Sequence, residues 1–220
     1  RYTTLVCAGL WMANYAPEIS FAVTFLSRFL KNPGPKMWGA AKIFAGCLRS
    51  RRSVRYHLRR SLPVPGSGGV TMGAYLQTQP TLSTAADAAH NDNGDGTTTI
   101  GYLIRIGGGV IMARTLKLKH VTLSTNESEL SAQTECGRDL VSFRALLAEL
   151  GFAQTGPTPM ECDSKGAISV AQRQSPTSRT KHIMLRDKWI RQLVASGLAV
   201  MVYRRTDQLL ADPLSKPVPG

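Results

Sequence analysis

Apolar residues recur at helical spacing through residues 8–30, AGLWMANYAPEISFAVTFLSRFL, on both sides of Pro17, a residue suited to opening a helix at its first turn. Asn32-Pro33-Gly34-Pro35 stops that helix, and a second is predicted from Lys36 to about Leu48. PVPGSGG, residues 63–69, has the composition of a flexible link. Beyond it the period changes. TIGYLIRIGGGVIMARTLKLKHVTL reads as β-branched and aliphatic strands broken at Gly107-Gly108-Gly109, with Leu116 and Leu118 alternating against Lys117 and Lys119. No helix and no Lys-Ser/Thr pair follows the three glycines, so they predict a hairpin turn rather than a phosphate loop. His90 reads as a turn residue and His120 as a strand residue.

A long helix is predicted from about Thr125 to Leu150, with Leu140, Phe143, Leu147 and Leu150 on one stripe and Gly151 as its C-terminal stop. TPMECDS then reads as a short buried strand, KGAISVAQR and MLRDKWIRQLVAS as helices, LAVMVYRR as a strand and TDQLLADPLSK as a last short helical piece. The order is three strands, helix, strand, helices, strand, helix, which is an α/β pattern.

Composition adds limits. At 220 residues and 43% hydrophobic the chain can bury a real core. No apolar run approaches the roughly 20 residues that cross a bilayer, and the first residues lack the charged-then-apolar plan of a signal peptide, so a soluble, intracellular protein that is not secreted is expected. Cys7, Cys47, Cys136 and Cys162 form no C-x-x-C pair, which argues against structural zinc or a disulfide framework and fits a reducing compartment.

The formal charge of +13 is uneven: residues 1–60 hold all but sixteen of the 27 Lys and Arg but only one acid, Glu18. Within RSRRSVRYHLRR, Arg49, Arg51, Arg52, Arg55, Arg59 and Arg60 surround Tyr56 and His57. Such a segment serves a polyanion, because neutralising phosphates releases condensed counterions.

Among the acids after the link, Asp87, a glutamate at Glu127 or Glu129, Asp163 and Asp212 fall at strand ends or helix starts, where remote segments can meet at one edge of a sheet. Four crowded carboxylates repel one another unless a hard cation absorbs the charge, and magnesium, which prefers oxygen ligands, is the natural guest. Two such ions about 3.5–4 Å apart can activate a water and stabilise the leaving oxygen of a phosphodiester. The acid-rich stretch DAAHNDNGDG is not a calcium loop: with Gly96 as the sixth position, Tyr102 falls where the bidentate glutamate should be. Asn91 to Gly96 instead has the chemistry of a polar hairpin turn.

Several blocks then point one way. Gly9-Leu10-Trp11-Met12-Ala13 and APEISFAVTFLSRFLKNP, and after the link ADAAHN, LSTNESEL, ECDSKGAI and SRTKHI…LLADPLSKP in that order, make the chain resemble the C-terminal end of Pol from Copia-type LTR retrotransposons, the end of the reverse transcriptase plus its ribonuclease H domain. That resemblance covers nearly the whole chain. It implies a ribonuclease H-like α/β fold, a mixed five-stranded sheet with three antiparallel strands first and helices flanking, preceded by a small, mostly helical thumb- or connection-like segment. The implied division is residues 1–62, a link at 63–75, and residues 76–220.

On the resemblance, Asp87 matches the first-strand aspartate, Asp163 the one ending the fourth strand, and Asp212 the last-helix aspartate, while the SEL context points to Glu129. Geometry agrees on the glutamate: two helical residues differ by roughly 200°, so Glu127 and Glu129 cannot share a face. Ser124-x-x-Glu127 also fits a capping box. The four carboxylates would hold two magnesium ions, with manganese as a substitute, and cut the RNA strand of an RNA–DNA hybrid, with no small-molecule cofactor and no membrane. RNA would be recognised by its 2′-OH. Ser124, Asn126, Ser164, Arg179, Lys181 and His182 would join the arginine run in binding nucleic acid. The rest of the reverse transcriptase would be a partner in the same polyprotein, in the cytoplasm, inside a virus-like particle, or in the nucleus. No Tyr-x-Asp-Asp motif occurs, so the chain cannot copy nucleic acid by itself.

Two departures bear on activity. The family's ADiLTKPL is ADPLSKPV here, and Pro213 directly after Asp212 either kinks a helix or starts a new one, which would turn Asp212 into an N-cap with its oxygens on backbone N–H groups. The mobile histidine found before the last aspartate in many ribonucleases H is missing from VMVYRRTDQ. That absence is usual for Copia-type enzymes, but Pro213 and the arginine run leave a rival reading, a catalytically inactive or host-adopted nucleic-acid-binding or assembly module that keeps the scaffold. A third reading makes residues 1–60 the truncated end of a polymerase with apolar surface left bare.

Overall fold

β-Branched, aliphatic and small residues in three consecutive runs pair edge to edge as the meander predicts. The structure, a computed structural model, describes residues 1–50, 81–92, 95–173 and 184–216, with backbone only for 184–187. The expected link lies outside the described residues, as do Arg51, Arg52, Arg55, Arg59, Arg60, Arg179, Lys181 and His182.

Strands β1 (Leu82–Ala89), β2 (Thr99–Ile106) and β3 (Gly109–Lys117) form the antiparallel meander, and β4 (Thr158–Cys162) and β5 (Ala199–Tyr203) extend it on the other side of β1 by parallel pairing. The strand order β3-β2-β1-β4-β5 is that of a ribonuclease H-like fold. Gly107 and Gly108, at φ 55° and 81°, make the β2–β3 turn, in a region of backbone space that L side chains rarely adopt. β3 ends at Lys117, so His120 lies in a bend beyond it rather than in a strand.

The central strand β1, LSTAADAA, is buried on both faces and built largely of alanine. Ala86 and Ala88 join Ile100, Tyr102, Ile104 and Met160 in the main core, under the long helix α4 (Thr125–Glu149). Ala85 and Leu103 face the opposite way, into a smaller core with Leu209, Ala211 and Leu214 from the C-terminal segment. Gln133 of α4, fully buried, donates to the carbonyls of Ala86 and Glu161 and so clamps β1 to β4. The α4 stripe holds at Leu140 and Leu147, but the helix stops one residue early: Leu150 is the C-cap and is 61% exposed, with Gly151 at φ 84° beyond it. Helices α5 (Lys165–Gln172) and α6 (Met184–Ala195) pack beside it, with Gly137 of α4 letting Trp189 and Leu193 approach.

The first 50 residues form α1 (Tyr2–Met12), a 3-10 turn at Pro17–Ile19, α2 (Ser20–Ser27) and α3 (Pro35–Ser50). Pro17 opens its turn as expected, but the first helix begins well before residue 8 and closes at Met12. Tyr2, Val6, Ile19, Val23, Leu26, Ala41 and Phe44 supply this segment's own core. Its tie to the sheet includes the Arg28 guanidinium, which donates to Thr99 Oγ1 at 2.9 Å. Trp11, Tyr15 and Ile43 stand exposed on its surface.

Candidate active site

Asp87 sits near the C-terminal end of β1, opposite Gly101 of β2, and its carboxylate is fully buried. The backbone there is covered by the short helix α7 (Asp212–Ser215), which can lie so close only because residue 101 has no side chain: a Cβ at Gly101 would fall 2.5 Å from Leu214 atoms. α7 and the residue after it thereby bring two groups to Asp87. The Ser215 hydroxyl donates to Asp87 Oδ2, the Lys216 ammonium lies 3.3 Å from the same oxygen, and Lys216 also bonds Asp212 Oδ1 at 2.7 Å.

From the other side come α4 and the end of β4. Ser124 caps α4 by accepting from the Glu127 N–H, and Glu127 reaches back to the Leu123 N–H at 2.7 Å, one residue before the position a standard capping box would use. Glu127 is thus tied to the helix start, and Glu129 turns inward to 3% exposure. Its carboxyl lies close to Asp163, which follows β4, and to the Cys162 thiol. Asp163 is held by the Thr206 hydroxyl at 2.8 Å. Glu129, Asp163, His90, Ser164 and Lys216 line one open cleft of about 600 Å³.

Burial dominates the electrostatics. It pushes the Glu129 carboxyl up to about 9, seconded by the charges of Asp87 and Asp163 and opposed by the Ala88 N–H and Lys216. Burial also raises Asp87, against the Ser215 hydrogen bond and the Lys216 charge. Burial alone would lower the Lys216 ammonium, but Asp212 and Asp87 outweigh it and hold its pKa above the ordinary range. Two buried oxygens, Asp87 Oδ1 and Glu129 Oε2, have no hydrogen-bond partner among the described residues. A buried carboxylate oxygen without a partner costs free energy unless a cation supplies one. Hard carboxylate oxygens fit magnesium. The Cys162 thiol does not join them, since burial pushes it up to about 12 and keeps it neutral.

No family model matches the chain. It is 35% identical over 204 residues, 92% of its length, to the retrovirus-related Pol polyprotein from transposon TNT 1-94 of Nicotiana tabacum. Over 222 aligned positions, 99% of its length, it is 31% identical to the Pol polyprotein from transposon RE2 of Arabidopsis thaliana. The chain is a relative of retrotransposon Pol polyproteins. It spans only 14% of the length of either of these curated relatives. Among solved structures, LC11-RNase H1, isolated from compost by a metagenomic approach, superposes with TM-score 0.47 at 16% identity, covering 61% of this chain and 92% of that one.

Around the cleft of this Pol relative, three residues expected to touch nucleic acid are engaged in helix starts. Ser124 caps α4, Ser164 caps α5 by accepting from the Ala167 N–H, and Asn126 accepts from the Ser164 hydroxyl at 3.1 Å, tying the two helix starts together. Arg49 is exposed in the last turn of α3. The N-cap alternative for Asp212 is not what forms: Ala211 is the N-cap, and the Asp212 carboxylate bonds Lys216 rather than backbone.

Asp92 lines the cleft but its carboxylate is bound to Thr99, and Asp95 lies apart from the cleft lining, in keeping with their lack of a motif match. Asp92 accepts from the Thr99 N–H and hydroxyl, and Asp95 pairs with Lys117 and Thr97, so both brace the β1–β2 turn. Sequence reasoning missed Ser215, Lys216 and Thr206. The signal for Lys216 lies in its i, i+4 spacing from Asp212. Thr206 carried no such signal. Glu161, also unforeseen, is a buried carboxylate paired with Arg105 and Arg204, so its charge is already matched.

Proposed function

We propose that the chain is the ribonuclease H part of a retrotransposon Pol polyprotein, a metal-dependent endonuclease hydrolysing the RNA strand of RNA–DNA hybrids. The observation that carries this reading is the pair of buried, unpartnered oxygens on Asp87 and Glu129, with Glu129 and Asp163 lining one open cleft. Asp87, Glu129, Asp163 and Asp212 are the residues that would hold two magnesium ions, or manganese in their place. Ions so bound supply an activated water and neutralise charge at the leaving oxygen.

The protein's own residues do the rest. Ser215 and Thr206 orient Asp87 and Asp163 by hydrogen bonds to one oxygen of each. Burial keeps the Glu129 carboxyl protonated near neutral pH until a cation takes that proton's place. Ser124, Asn126 and Ser164 present the polar starts of α4 and α5 beside the cleft, where helix N-terminal N–H groups favour phosphate. Arg49, with the arginines that follow it in sequence and with Arg179, Lys181 and His182, would hold the backbone of the hybrid. The four ordered sequence blocks are what point to a hybrid as substrate.

The second reading is a binding module that keeps the scaffold. What favours it is the tie of Asp87 and Asp212 to Lys216. Cleavage of a labelled hybrid with magnesium, beside single-stranded RNA and duplex DNA, separates the two. Asp87→Asn and Asp163→Asn are expected to abolish cutting while hybrid binding persists. Binding without any cutting by the unaltered chain selects the module, and cutting that survives either substitution with magnesium as the only metal refutes the catalytic assignment.

A further inference from the structure

Lys216 occupies an unusual place. Its ammonium lies 2.7 Å from Asp212 Oδ1 and 3.3 Å from Asp87 Oδ2, so one monovalent cation joins carboxylates carried by the last short helix and the central strand. Asp87 is 1% exposed and Lys216 38%, so the charge is delivered to a buried oxygen by a stem that still reaches solvent. Lys216 also lines the cleft shared with Glu129 and Asp163. A divalent cation held by Asp87 and Asp212 would draw on the same two carboxylates as this ammonium, and at such range the two positive charges would repel.

We propose that Lys216 is a built-in counter-ion of the carboxylate cluster, which closes α7 onto β1 when no divalent ion is bound and swings out toward solvent when one binds. This rests on reading the cluster as a divalent-cation site. Lys216 is then a positioning residue: it preserves the Asp87–Asp212 geometry in the metal-free protein and sets how much magnesium is needed to displace it. The partly exposed stem lets the ammonium leave without stranding a charge in the core.

The test uses the 220-residue chain in three forms, unaltered, Lys216→Met and Lys216→Arg. Two readouts are taken, melting temperature in chelator and magnesium affinity by calorimetry. Loss of the ammonium should lower the chelator melting temperature and, since an opposite charge at this range is worth one or more pKa-like units, tighten magnesium binding about tenfold. The arginine variant, which keeps the charge, should stay near the unaltered chain in affinity. A methionine variant that unfolds in chelator but folds with magnesium supports the proposal equally. If magnesium binds the unaltered and methionine forms equally, the proposal fails while the metal site stands. If magnesium binds neither form, the site reading falls and the proposal with it.

Discussion

Gly101→Ala tests whether the short C-terminal helix is seated against the central strands as described. The added Cβ would lie 2.5 Å from the Leu214 carbonyl carbon and Cβ and 2.7 Å from the Ser215 nitrogen, where ordinary contacts are 3.4–4 Å. These are backbone atoms or atoms fixed to backbone, so no rotamer change relieves the overlap; α7 as a unit must retreat by about 1 Å. Overpacking of this kind costs about 1–3 kcal/mol, and for a chain of this size each kcal/mol lowers the melting temperature by roughly 2–4 °C.

The retreat also carries Asp212, Ser215 and Lys216 away from Asp87, and a misplacement of about 1 Å in a reacting constellation costs on the order of a hundredfold in rate. Gly39→Ala is the matched control. Gly39 lies inside α3, a Cβ there meets nothing within 4 Å, and the change should stabilise by about 0.5–1 kcal/mol. Thermal melts and hybrid cleavage of both variants supply the readout. A Gly101→Ala protein that melts at or above the unaltered chain and cuts at the same rate refutes the packing of α7 on β2 and the role given to it.

Two further outcomes follow from buried groups. The Glu129 carboxyl, raised to about 9 from 4.5, contributes stability to the metal-free fold that is full below the ordinary carboxylate range and is lost as pH rises toward 9. Between pH 5 and 7 the loss is about 3 kcal/mol; urea melts in chelator should show it in the unaltered chain and a flatter profile in Glu129→Gln, and parallel profiles would refute it. Tyr102 is 1% exposed and its hydroxyl donates to Asp139 Oδ2 at 2.6 Å, so Tyr102→Phe should cost about 1–2 kcal/mol in thermal melts with hybrid cleavage unchanged; an unaltered melting temperature would show that water replaces the bond at no cost.

The fold was legible where a local period reports a local environment. The switch from helical spacing to paired strands, the glycines at 107–109 and the long apolar stripe of α4 each depend on neighbours close in sequence, and each lies where expected. Element ends were legible to about a residue: Gly151 takes a positive φ and stops α4 as expected, but Leu150, which continues the stripe by period, is the C-cap and is left exposed. Glu161 shows the other limit. Nothing local says that a carboxylate inside a buried strand will meet Arg105 of β2 and Arg204 just after β5, because that meeting depends on strand order. In the candidate site, Glu129 was chosen on the SEL context of the resemblance, helical rotation adds only that Glu127 cannot share its face, and the capping of α4 gives Glu127 its separate task.

Pro213 shows how a residue that reads as an obstacle changes meaning once its neighbours are placed. An N-cap carboxylate is drawn to the unpaired N–H groups of a helix's first turn. Here the Asp212 N–H already bonds the Leu209 carbonyl at 3.1 Å, Pro213 has no N–H at all, and the Leu214 N–H bonds the Ala211 carbonyl at 2.9 Å. The start of α7 therefore leaves its own aspartate no backbone donor at those positions. The Leu214 N–H, the second-position donor that a cap at Asp212 would use, is already taken by the Ala211 carbonyl, and the Asp212 carboxylate bonds a cation instead, which in this structure is the ammonium of Lys216.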